Sequence, residues 1–179
     1  MKSCLLVSFV IASLLPLSVH AQKHSDSGQP LISVGVFGAV GVQDVNAHGD
    51  SQFNNAILTL GVYGELPRLP LRPGVDLRCI CGDNGVQGML TGPRISASLG
   101  PFRPYAEALF GPNHATYSPS ATAAALDEHG VSSEGVLGLD YSSGGFFHWR
   151  VVEVSFGSFS AIPDSKPYGV STGIVLRFP

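Results

Sequence analysis

The stretch GVDLRCIC (74–81) decides the fold. Val75, Leu77 and Cys79 alternate with Asp76 and Arg78. Successive side chains of an extended strand point to opposite faces. One face of this segment is therefore apolar and the other carries two opposite charges. At the 3.6-residue period of a helix the same residues would mix charge and apolar groups around the whole surface.

Outward from this segment the same phase recurs in both directions. Strands are expected at Leu31–Val42, Ala56–Glu65, Gly74–Cys81, Val86–Leu99, Phe102–Gly111, Glu134–Tyr141, Phe147–Phe156 and Tyr168–Phe178. Most have about the nine to eleven residues that a tilted transmembrane strand requires. One face carries Val34, Val36, Val40, Leu58, Leu60, Val62, Ile95, Phe110, Leu137, Val154, Ile174 and Phe178, with almost no charge. The other carries Glu65, Asp76, Arg78, Arg94, Arg103, Glu107, Glu134, Asp140, Glu153 and Arg177, interspersed with Ser, Thr and Gly.

Alternation alone does not say which face is inside, because a soluble barrel also alternates. Two features place the charges inside. A solvated face would be rich in Lys and Glu, yet beyond residue 21 the chain has only Lys23 and Lys166. The residues between the charges are mostly small, which suits the narrow interior of an eight-stranded barrel. Apolar outside and polar inside is the membrane-barrel arrangement. The expected fold is all-β, an eight-stranded antiparallel up-and-down transmembrane β-barrel over residues 31–179.

The N-terminus reads as an export signal. Lys2 precedes the apolar run Cys4–Leu17, and Val19-His20-Ala21 ends it with a cleavage-like site. The run is shorter than the roughly 20 apolar residues of a spanning helix. Residues 1–21 are expected to be a cleavable Sec-type signal and 22–30 a short tail. Without Lys2, nine Lys and Arg face thirteen Asp and Glu. That mild acidity offers no basic patch for nucleic acid. The 22 glycines and 13 prolines are scattered, and no long stretch keeps a helical period. SATAAALDEHG (120–130) is the one segment expected to form a helical turn or two.

Connections of an outer-membrane barrel alternate between short turns and longer surface loops. The turns are expected at 66–73, 100–101 and 142–146, and the loops at 43–55, 82–85, 112–133 and 157–167.

FRPYAEALFG (102–111), GVLGLDYSSGG (135–145), WRVVEVSFG (149–157) and GVSTGIVLRF (169–178) together resemble the small OmpA/OmpX-type outer-membrane β-barrel domains. The resemblance covers roughly Leu31 to Phe178. It implies insertion into the bacterial outer membrane, with lipid and the barrel-assembly machinery as partners. It implies that Phe178 is the terminal aromatic read during assembly; here Pro179 follows it.

Several groups could carry chemistry. Glu65, Asp76, Arg78, Arg94, Glu107, Asp140, Glu153 and Arg177 form a candidate lumenal charge network, with Arg103 and Glu134 on the same face. Glu107, Arg94, Glu153 and Arg177 are its expected centre. Buried charges must be paired, and the fork of Arg suits bidentate pairing. His148 and Arg150 fall on the outward phase unless a bulge turns them, with Trp149 as an interfacial aromatic. Cys79 and Cys81 leave a disulfide open. They lack the further ligands of a metal site. No Ser is spaced to serve His148 as a nucleophile, so no catalysis, cofactor or metal is expected. The favoured reading is a monomeric outer-membrane barrel with a structural or surface-interaction role and a lumen plugged by charge pairs. The alternatives are a narrow pore for ions or small solutes, and a soluble exported β-barrel binding an apolar ligand.

Overall fold

The computed structural model describes residues 30–47, 51–82, 86–117, 126–160 and 166–178. The signal and nearly all of the tail expected at 1–30, as well as Pro179, lie outside them. Eight strands follow in chain order: β1 (Ser33–Ala47), β2 (Ser51–Glu65), β3 (Leu71–Gly82), β4 (Gln87–Ala97), β5 (Phe102–Tyr117), β6 (Leu126–Ser142), β7 (Phe147–Phe159) and β8 (Tyr168–Phe178). Each pairs antiparallel with the next, and β8 returns to β1 to close the barrel. Among the described residues there is no helix.

The alternation sets the faces. Val40, Val42, Val75, Ile95, Phe110, Leu137, Val154, Phe156, Val170 and Ile174 are exposed on the outer surface. Glu65, Asp76, Arg78, Arg94, Glu107, Asp140, Glu153 and Arg177 are buried within. The inverse arrangement, with apolar side chains lining a ligand cavity, is therefore not the one adopted.

Short turns at 66–70, 98–101 and 143–146 gather at the end that also holds Ser33 and Phe178. We call this the turn end, and the opposite one the loop end. Gly100, Gly144 and Gly145 take the positive φ values that two of these turns require.

The structure corrects the sequence reading in three places. Residues 126–130 of the expected helical segment are strand. Much of the expected loops 43–55 and 112–133 is also strand. β1 and β2 stay in register from Ser33↔Glu65 to Ala47↔Ser51, and β5 and β6 from Phe102↔Tyr141 to Tyr117↔Leu126. A hairpin ladder is held by backbone hydrogen bonds and continues where side-chain alternation has faded.

Third, His148 and Arg150 point inward, not outward. β7 has one residue more than its neighbours, because Leu139 pairs with Val152 while Asp140 pairs with Arg150. This bulge reverses the side-chain phase. Trp149 on one side and Val152 and Val154 on the other thus all face out, while Arg150 and Glu153 both face in. Thr172 pins the bulge: its hydroxyl donates to the Arg150 carbonyl (2.8 Å) and accepts from Trp149 Nε1 (3.2 Å). Cys79 and Cys81, the possible disulfide pair, are two apart on β3 with Ile80 between them. Both cysteines stay in the regular ladder of β3.

Candidate functional site: the lumenal charge cluster

Five arginines and five carboxylates meet inside the barrel. Arg78 donates to Asp76 (2.9 Å), Glu153 (3.0 Å) and Glu107. Arg94 donates to Glu65 (2.8 Å) and Glu107, and lies 3.6 Å from Asp140. Arg150 donates to Asp140 (3.1 Å) and Glu153 (2.9 Å). Arg177 donates to Glu65 (2.8 Å), and Arg103 reaches the same carboxylate at 3.7 Å. The signs balance across the cluster, which is what burial of charge demands.

Strand geometry explains how these groups converge. Glu107 of β5 sits opposite Arg94 of β4 in the ladder. Asp76 and Arg78 are two apart on β3, so they share a face. Arg150 enters the cluster through the β7 bulge and places its guanidinium between Asp140 and Glu153.

Aromatic rings hold the cations from the sides. The Arg94 guanidinium lies between Tyr63 (4.1 Å) and Tyr105 (3.8 Å). Arg150 lies over Phe37 (4.1 Å), and Arg78 is 5.2 Å from the same ring. Each such contact adds cation–π attraction, larger where water is excluded. Tyr105 also donates its hydroxyl to Glu153 (2.7 Å). Glycines make room for these rings. Gly35 is paired with Tyr63, Gly61 with Phe37 and Gly138 with Tyr105. A Cβ at any of the three would overlap the ring opposite.

Toward the loop end the lumen turns apolar. Ile57, Ile80, Leu90, Leu109 and Val136 form one buried cluster with Tyr105. Ile80 lies beyond Arg78 on β3, Leu109 beyond Glu107 on β5, and Leu90 beyond Arg94 on β4. Glu134 is buried farther toward the loop end and makes no ion pair among the described residues.

With that geometry in place, other barrels can be compared. Neisserial surface protein A superposes with a TM-score of 0.55 at 11% identity, over 82% of this chain and 97% of that one. Ail, the attachment invasion locus protein of Yersinia pestis, solved with the heparin analogue sucrose octasulfate, gives 0.53 at 14% identity over 82% and 99%. A transmembrane β-barrel designed de novo gives 0.52 at 17% identity over 82% and 95%. The fold is that of the small OmpA/OmpX-type outer-membrane barrels. No protein-family profile and no curated protein sequence matches the chain.

Within this barrel the eight charges singled out from sequence all face the lumen, and each makes at least one ion pair. Their centre differs from the one expected. Arg177 lies at the turn-end edge, while Arg78 and Arg150 take central places beside Arg94. Sequence reading missed the aromatics. Phe37, Tyr63 and Tyr105 stand on the charged phase of their strands, so the same alternation was the signal that could have found them. Phe178 pairs with Val34 where β8 closes on β1. No group of three or more His, Cys, Asp or Glu side chains suited to a metal occurs among the described residues.

Proposed function

We propose that the chain is an exported outer-membrane barrel with a structural or surface-interaction role, its lumen closed to solutes by the arginine–carboxylate cluster and without catalysis. In this reading residues 1–21 are removed on export. The barrel inserts as a monomer with the turn end in the periplasm, and the barrel-assembly machinery reads Phe178. The apolar outer belt supports a lipid environment, because soluble monomers rarely expose so many large apolar side chains on one surface.

The observation that carries the closed lumen is Arg94. Its side chain is fully buried, clamped between two tyrosine rings, and tied to carboxylates from two strands. Opening a path past it requires breaking several buried charge pairs together, at about 3–5 kcal/mol for each pair left without its partner.

Reconstitution of the refolded protein into a planar bilayer tests this. The expected result is no resolved conductance steps above lipid background. Steady steps that change in size or ion selectivity on Arg94→Gln or Glu107→Gln would replace the closed barrel with a narrow pore.

A further inference from the structure

We propose that the turn end of the lumen is a binding pocket for a phosphate group, held by Arg103, Arg177 and His148. A cavity of about 380 Å³ opens there, lined by Ser33, Arg103, Gly145, Phe146, His148 and Arg177.

Its electrostatics are unlike those of the cluster above it. Glu65 is the only carboxylate within ion-pair distance of Arg103 and Arg177 among the described residues, and it also serves Arg94. Arg94 also has Glu107, so Glu65 is the one carboxylate shared by Arg103 and Arg177, both of which face the cavity. The donors are also unfilled. Arg177 is 9% exposed; its Nε donates to Ser33 Oγ (2.8 Å) and its Nη2 to Glu65, while its Nη1 is buried without a hydrogen-bond partner. Arg103 Nη1 is likewise buried without one. His148 is 6% exposed and makes no hydrogen bond among the described residues. Buried donors without partners are costly in a native protein. An oxyanion in the cavity would supply the second counter-charge that these two guanidiniums lack.

The donor set favours phosphate. Two guanidiniums supply forked N–H groups, and imidazole adds a third direction, a geometry that suits several oxygens carrying up to two negative charges. Ser33 Oγ already donates to the Phe178 carbonyl (3.0 Å), so it orients Arg177 instead of contacting the ligand. Phe146, 62% exposed, forms the lip on a turn set by Gly144 and Gly145. A pocket at this end could meet a soluble phosphate or the headgroup of a phospholipid.

The test uses the refolded protein in a nonionic, phosphate-free detergent. Inorganic phosphate is titrated and followed by phosphorus NMR, and a short-chain phosphatidate is titrated separately. Saturable binding of at least one is expected. Loss of one charge-assisted hydrogen bond predicts at least about tenfold weaker binding in Arg103→Gln and in His148→Gln. Lys166→Gln, at the loop end, should bind as wild type. Arg103 makes only a long contact to Glu65, so its variant should fold, and heat-modifiable gel migration checks that it has. Phosphate binding points to a soluble ligand, and binding of phosphatidate alone points to a headgroup. Binding of neither overturns the proposal, as does equal binding by wild type and both pocket variants.

Discussion

Glu153→Gln isolates what the lumenal charges contribute. Glu153 accepts from Arg78 (3.0 Å), Arg150 (2.9 Å) and the Tyr105 hydroxyl (2.7 Å), and Ser171 approaches at 3.4 Å. Glutamine keeps the shape and removes the charge. Removing one partner from a buried ion pair costs about 3–5 kcal/mol. Here each arginine keeps another carboxylate, Arg78 through Asp76 and Glu107 and Arg150 through Asp140. The loss should therefore fall near the lower end, about 3 kcal/mol. With a urea dependence of about 2 kcal/mol per molar, the unfolding midpoint should drop by about 1.5 M. Trp149 reports the transition. It is the single tryptophan of the chain and lies half exposed on the outer belt, so its emission changes when the barrel leaves lipid. Ser171→Ala, removing only the long contact, should cost under about 1 kcal/mol. A Glu153→Gln midpoint within about 0.3 M of wild type would refute the argument and show that the cluster adds no net stability.

Other perturbations address other parts of the barrel. Leu137→Arg, at an exposed position near the middle of β6, should destabilise the barrel in vesicles by about 2–4 kcal/mol, since a lipid-facing cation is costly at the midplane; a neutral result in the same urea titration would argue against a lipid belt. Gly138→Val places a branched side chain against the Tyr105 ring and should cost about 1–3 kcal/mol by overpacking, visible as a lower thermal midpoint. Phe178→Ala should lower the amount of folded barrel in cell envelopes while unassisted refolding in detergent changes little; an equal loss in both would assign Phe178 a role in stability alone. Deleting residues 115–128 should leave heat-modifiable migration intact and abolish any surface adhesion measured with whole cells.

The wall of the barrel was legible because two demands coincide there. Lipid outside and a crowded lumen inside force strict alternation, so β8 was read to the residue and the charges were assigned to one face. Legibility fell where only one demand acts. In the hairpin extensions of β1–β2 and β5–β6 the backbone ladder persists, but no belt imposes a side-chain pattern, and the segment 112–133 reads as loop. At the bulge, one additional residue reverses the phase on either side of Val151. Arg150 then looks outward in sequence although it lies among carboxylates in space. The ring–guanidinium stacks escaped notice because glycine and aromatic partners on adjacent strands are far apart in sequence, as Tyr105 and Gly138 are.

The register of β5 and β6 has a further consequence, for exchange kinetics. Among the described residues, β4 meets β5 no farther than His114, and the β7 side meets β6 no farther than Val131, whose carbonyl accepts from Ser160 N (3.0 Å). Beyond those points the β5–β6 hairpin is a two-stranded ribbon whose outer edges have no neighbouring strand among the described residues. Amides in the wall are shut between the outer belt and a filled lumen, so deuterium reaches them only by opening of the whole sheet. Amides along the ribbon open locally. The chain should divide into two exchange classes, with the change falling near His114 on one strand and Val131 on the other.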